Sequence, residues 1–214
     1  MQHRKCTHRL IGLTIAVAVL ATVPTAAQRK GKRSRDDWQR PEQVVAELHL
    51  QPGAVVADIG CGTGYFTFRL AEAVGEAGKI IGVDIDEKAL ATLKKRAAER
   101  GAGNIELVQS EPTDTKLEPA SVDVAFVCMV MHHVPKEQQE PLLGSIAQAV
   151  KPGGYLYVID VRRDIESHLR EHGEKITRAE LIEKAEAGGL KLDADFYCLP
   201  YQYFVRFLRP ETEQ

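Results

Sequence analysis

Residues 55–64 read Val-Val-Ala-Asp-Ile-Gly-Cys-Gly-Thr-Gly, and this stretch limits the fold more tightly than any other. Its first five residues form the apolar, β-branched-rich run of a buried strand. The glycines that follow permit backbone conformations and close approaches that a Cβ would forbid. A strand that passes through such a loop into a helix is the opening βα turn of a parallel α/β sheet, and ligands of such sheets lie beyond the strands' carboxyl ends.

The rest of the chain repeats the alternation. Short apolar runs bounded by Gly, Pro, Asn or Asp predict strands at 54–59, 79–83, 105–109, 122–128 and 155–161, and continuous runs of this kind suit a sheet covered on both faces. Leu90, Leu93 and Ala97 share one helical face, as do Leu142 or Leu143, Ile146 and Val150, the spacing of helices that cover a sheet. A further helix starts near Pro41. Thr177 to Glu180 is a capping box opening a helix that Gly188-Gly189 ends, and Lys151-Pro152-Gly153-Gly154-Tyr155 reads as a tight turn into the fifth strand. Two more strands are expected at 191–197 and 202–208; the connection between them is too short for a parallel crossover, so they must pair as a hairpin. The expected fold is α/β: a doubly wound, mostly parallel seven-stranded sheet with a C-terminal antiparallel hairpin and helices on both faces.

The first 27 residues have a different character. Arg4, Lys5 and Arg9 precede an apolar run from Leu10 to Val23 and then Thr25-Ala26-Ala27, the order of a secretory signal peptide. The run is shorter than the roughly 20 residues that cross a bilayer, which favours cleavage after Ala27 and a periplasmic destination. The basic stretch at 28–35 disfavours export of that flank, so the alternative is an uncleaved anchor holding a cytoplasmic domain at a membrane. The main domain is expected over 36–214. Removing residues 1–27 takes away three basic and no acidic residues and leaves 25 Lys and Arg against 30 Asp and Glu, which gives no sign of a nucleic-acid partner. Cys61, Cys128 and Cys198 are odd in number and lack CxxC spacing, indicating neither a disulfide framework nor a metal site; they read as small core residues.

A dinucleotide fingerprint would be G-x-G-x-x-G. Here the third glycine falls one residue early, at Gly64, and Tyr65 stands in its place. That departure, with Asp58 upstream, resembles class I S-adenosylmethionine-dependent methyltransferases, and the resemblance covers roughly residues 50 to 160. Flanking segments at 35–41 and 199–204 look like a bacterial branch of that family with exported N-termini. The resemblance implies S-adenosylmethionine as cofactor. Gly60, Cys61, Gly62 and Gly64 would cradle it, Asp58 would suit its ammonium, often through water, and Asp84, 24 residues after Gly60, would hold its ribose hydroxyls. Ile85 would lie against the adenine, Glu111 would accept from the adenine amino group, and Cys128 and its successors would face the methyl group.

Those successors include His132 and His133. Either imidazole can take a proton from an acceptor's oxygen or nitrogen, or the pair can simply fix the loop and cap a helix. Trp38 reads as a staple of the following helix to the core, with a lid over the site as the alternative. Cys61 and Cys128 end neighbouring strands, which raises a minor thiol-dependent reading. The Asn-Pro-Pro-aromatic motif of amino-methylating DNA enzymes is missing after the fourth strand, so the expected acceptor is a small molecule. Its contacts are expected in inserts at 36–50, 129–135 and 162–176. The competing functions are an exported adenosylmethionine-binding module without catalysis and an NAD-dependent oxidoreductase, against which Tyr65 argues.

Overall fold

The computed structural model describes residues 34–163 and 176–211; the signal segment, most of the basic linker, and Asp164, His168, Arg170 and His172 of the charged insert lie outside them. Seven strands form one sheet in the order β3-β2-β1-β4-β5-β7-β6: β1 Val55–Ile59, β2 Lys79–Asp84, β3 Ile105–Gln109, β4 Val122–Cys128, β5 Val150–Val161, β6 Lys191–Phe196 and β7 Gln202–Leu208. The first five pair in parallel, and β7 runs antiparallel to both β5 and β6. The expected hairpin is therefore present, with its second strand inserted next to β5 so that β6 forms the edge.

The helices are α1 Arg35–Gln39, α2 Pro41–Glu47, α3 Thr67–Val74, α4 Glu87–Arg100, α5 Lys136–Ala149 and α6 Arg178–Ala187. On one face, Val44, Leu70 and Val74 of α2 and α3 pack on Val56, Ile80, Phe126 and Ile159. On the other, Leu142, Leu143, Ile146 and Leu181 of α5 and α6 cover Ala57, Val83, Val127 and Val158. Alternation along β4 produces this division, since Val124, Phe126 and Cys128 face the first cluster while Ala125 and Val127 face the second. In α4, Leu90, Leu93 and Ala97 pack against Cys61 and Phe68 as their spacing predicts.

Three details differ from the expectations. Val150 begins β5 and does not end α5. Lys151 to Gly154 is not a turn ahead of the strand: Val122 pairs with Val150 and Val124 with Tyr155, so these residues are an irregularity inside a longer strand, bent at Gly153 with φ 79°. Arg35, expected in the linker, starts α1, a helix capped by a reciprocal Ser34–Asp37 box and stopped by Arg40 in the left-handed region at φ 46°.

Candidate active site

The carboxyl ends of β1 to β4 surround a cleft of about 360 Å³ whose walls include Gly60, Asp84, Ile85, Glu111, Met129, Val130 and His133. A wider groove of about 890 Å³ opens beside Val55 and Lys79, at the amino ends of β1 and β2. Volume alone does not select between them; ligand position in doubly wound sheets does.

The glycine loop is tied to the sheet at both ends. Gly60 and Cys61 donate their N–H groups to Val83 O at 2.7 and 3.1 Å, and Gly62 N–H donates to Asp84 Oδ2 at 2.7 Å. The other oxygen of Asp84 accepts from Asp86 N–H at 2.9 Å, while Asp86 itself caps α4 through Lys88 N–H. Asp84 is therefore not the helix cap: it links the loop to β2, and each of its oxygens keeps a lone pair for a ligand. A Cβ on Gly60 would stand 2.3 Å from Val130 Cγ2, whereas one on Gly62 would meet nothing within 4 Å. The loop thus touches the β4 turn at Gly60 and leaves open space above Gly62. Gly64 faces Leu93 and Phe68, away from the cleft.

Asp58 is buried beneath the loop and accepts from Thr67 Oγ1 at 2.6 Å. Burial pushes its pKa up to about 6, against a smaller lowering by the Thr67 hydrogen bond and the Arg35 charge. Ile85 is 60% exposed, an unusual setting for a large apolar side chain beside a polar cleft. Glu111 meets Lys116 at 3.0 Å in a solvent-exposed ion pair, which contributes little and opens easily.

The two histidines are separated by the structure. His133 lines the cleft; His132 is 2% exposed, with Nδ1 2.7 Å from Asp160 Oδ1 and its backbone N–H donating to Asp160 Oδ2 at 3.1 Å. Their rings lie 4.0 Å apart at 43°. His132 is thus a buried strut for the turn at 131–133, and of the pair it is His133 that faces the cleft.

Neither cysteine side chain faces the cleft. Cys61 packs with Phe68 and Leu93, and Cys128 packs with Phe126 and accepts from Gln39 Nε2 at 3.2 Å. Burial raises both thiols above their ordinary range, with Asp58 and Asp84 adding to it at Cys61 and the Arg35 charge opposing it at Cys128. They are buried in separate clusters, an arrangement that argues against the thiol-dependent reading. Trp38 is half-buried, and the buried residue of α1 is Gln39. Tyr65 lies beneath the Arg35 guanidinium, 3.7 Å from its ring centroid, and donates to Asp36.

Sequence reasoning missed Asp160, Gln39 and Gln202, all buried polar residues. For Asp160 the available signal was an acid inside an apolar run, which needs a partner; Gln39, in the charged stretch 35–41, carries no such mark. Ser110 and Val130 also line the cleft, and no residue-type pattern marks them.

Residues 56–154 match a family described as a methyltransferase domain. A demethylmenaquinone methyltransferase of Lactococcus lactis subsp. lactis (strain IL1403) is 34% identical over 108 residues, 50% of this chain and 42% of that protein. Another, of Shouchella clausii (strain KSM-K16), is 29% identical over 123 residues, 58% of this chain and 51% of the relative. The chain spans about half the length of the curated relatives it matches. The crystal structure of a SAM-dependent methyltransferase from Aquifex aeolicus superposes with a TM-score of 0.70 at 26% identity, covering 79% of this chain and 89% of that one. The sheet is that of the Rossmann-like methyltransferase fold, and the cofactor of that fold is S-adenosylmethionine.

Proposed function

We propose that this chain is an S-adenosylmethionine-dependent methyltransferase that moves a methyl group to a small-molecule acceptor by in-line displacement. The observation that carries the reading is the convergence of Asp84, Ile85 and Glu111 with the Gly60 loop on one cleft at the carboxyl ends of the strands. The residues present fit the cofactor: a carboxylate with free lone pairs for a diol, an exposed apolar side chain for a purine face, and unfilled space over Gly62. When bound, the cofactor supplies a methyl carbon made electrophilic by positive sulfur.

The protein's own work is then positioning and exclusion of water. Asp84 holds the ribose hydroxyls, Ile85 covers the adenine, and Glu111, released from Lys116, accepts from the adenine amino group. The Gly60–Gly64 backbone shapes the loop, and Asp58 stabilises the ammonium from below. His133 takes the acceptor's proton, while His132 and Asp160 hold the turn that presents it. The relatives named above methylate demethylmenaquinone, which supports a small acceptor. The proposal extends to the N-terminus: residues 1–27 direct export, as their order of charge, apolar run and small residues supports. Among the described residues no helix is long and apolar enough to cross a membrane.

Calorimetric titration of the chain with adenosylmethionine, adenosylhomocysteine and NAD tests the cofactor assignment. Saturable binding of the first two, weakened at least tenfold by Asp84→Ala, is expected; binding of NAD alone would refute the assignment. Turnover against an acceptor panel then separates an enzyme from a binding module, and reporters fused after residue 40 that are active on one side of the membrane fix the topology.

A further inference from the structure

A second cavity, of about 640 Å³, opens where β5 and β6 end and β7 begins, between Arg162, Phe196, Tyr197, Leu199 and Gln202. Its size is that of a small-molecule pocket. One wall is aromatic: the Phe196 and Phe204 rings lie 4.5 Å apart at 31°, and Tyr197 beside them is 89% exposed.

Gln202 is the exception in this wall. It is 3% exposed, and its Oε1 is buried without a hydrogen-bond partner. The other end of the amide is held, since Nε2 donates to Gln39 Oε1 at 3.4 Å and lies 3.8 Å from Met129 Sδ. Gln39 is anchored in turn by donating to Cys128 Sγ at 3.2 Å. Contacts from α1 and from the end of β4 therefore set the amide's orientation and leave its oxygen over. A buried acceptor without a donor is costly, and Gln202 is one of the residues along the cavity, the side from which a donor can reach it. Met129 also lines the cofactor cleft, so Gln202 stands at the partition between the two spaces.

We propose that this cavity receives the methyl acceptor, and that Gln202 Oε1 accepts a hydrogen bond from a hydroxyl carried on a flat aromatic ring; the proposal rests on the methyltransferase reading above. The rings of Phe196 and Tyr197 supply faces against which such a ring packs. The carbonyl oxygen discriminates between acceptors: a hydroxyl satisfies it, whereas a methyl or a bare C–H in that place leaves it unpaired, the kind of difference that gives strong selection.

The test compares 4-ethylphenol with its isostere 4-ethyltoluene by ligand-observed NMR titration of the full chain in the presence of saturating adenosylhomocysteine. The phenol is expected to bind at least tenfold more tightly. Gln202→Leu should erase that preference by weakening the phenol alone, with adenosylhomocysteine affinity unchanged. Equal affinities for the two compounds in the unaltered chain overturn the proposal, and so does a preference that survives Gln202→Leu. The unaltered-chain comparison stands even where the variant fails to fold. Adenosylhomocysteine binding in the same samples separates the two levels: binding without a phenol preference overturns this proposal alone, and absence of binding takes the methyltransferase reading down with it.

Discussion

Asp58 is a carboxyl held under the glycine loop with its pKa pushed from the ordinary 3.8 up to about 6 by burial. The folded chain holds this proton more tightly than the unfolded one, so Asp58 favours the fold below pH 4, and that contribution is lost as pH rises through about 6. A ligand ammonium placed over the carboxyl favours the ionised form and reverses that preference locally. Adenosylhomocysteine affinity, measured by titration calorimetry from pH 5 to 7.5, should therefore rise with pH and level off above about 6.5, and Asp58→Asn should flatten the profile. The His132–Asp160 pair makes a different prediction, because both side chains are 1% exposed. Removing one partner leaves the other a buried polar group without its hydrogen bond, which costs about 1–3 kcal/mol, whereas replacing both with apolar groups is far milder. In urea unfolding, Asp160→Leu should lose roughly that amount, and the double variant Asp160→Leu/His132→Phe should recover most of it.

At the scale of the element, the loop after β1 and the turn after β4 are fitted to each other through Gly60 and Val130. Gly60 combines φ +70° with a Cβ position 2.3 Å from Val130 Cγ2. Gly60→Ala thus meets two penalties, about 1–2 kcal/mol for the left-handed backbone and a steric one that Val130→Ala removes. A double-mutant cycle followed by thermal unfolding should show positive coupling with a backbone residue that Val130→Ala does not rescue. The loop was legible in the sequence because glycine spacing reports backbone conformation directly. The same holds for Asp84, whose place follows from where β2 ends, and for the 191–208 hairpin, whose short connection admits one pairing. Two features were not legible. Alternation does not say which residue of His132-His133 points inward, because a single 3₁₀ turn at Met131–His133 has no repeat to read. The partnership of Gln39 with Gln202 joins positions 163 residues apart, and its residue types carry no mark of it.

The described residues form one sheet whose antiparallel end is continuous with its parallel core. Strand β5 pairs with β4 from Val122 to Cys128 on one edge and with β7 from Gln202 to Leu208 on the other. Asp193 of β6 receives Arg206 of β7 at 2.5 Å, and Tyr157 on β5 receives the same guanidinium at 3.3 Å. The cofactor cleft belongs to β1–β4 and the second cavity to β5–β7, yet no break in the strand ladder separates them, so the sheet should unfold as a unit. A ligand that binds the folded state at 100 times its Kd adds about 2.7 kcal/mol, which for a domain of this size raises Tm by roughly 5–11 °C. Adenosylhomocysteine, which the proposed function places on the β1–β4 half, should shift the entire calorimetric transition by that amount and leave it a single peak. A shift confined to one of two resolved transitions would mean that the hairpin half folds independently of the β1–β4 half.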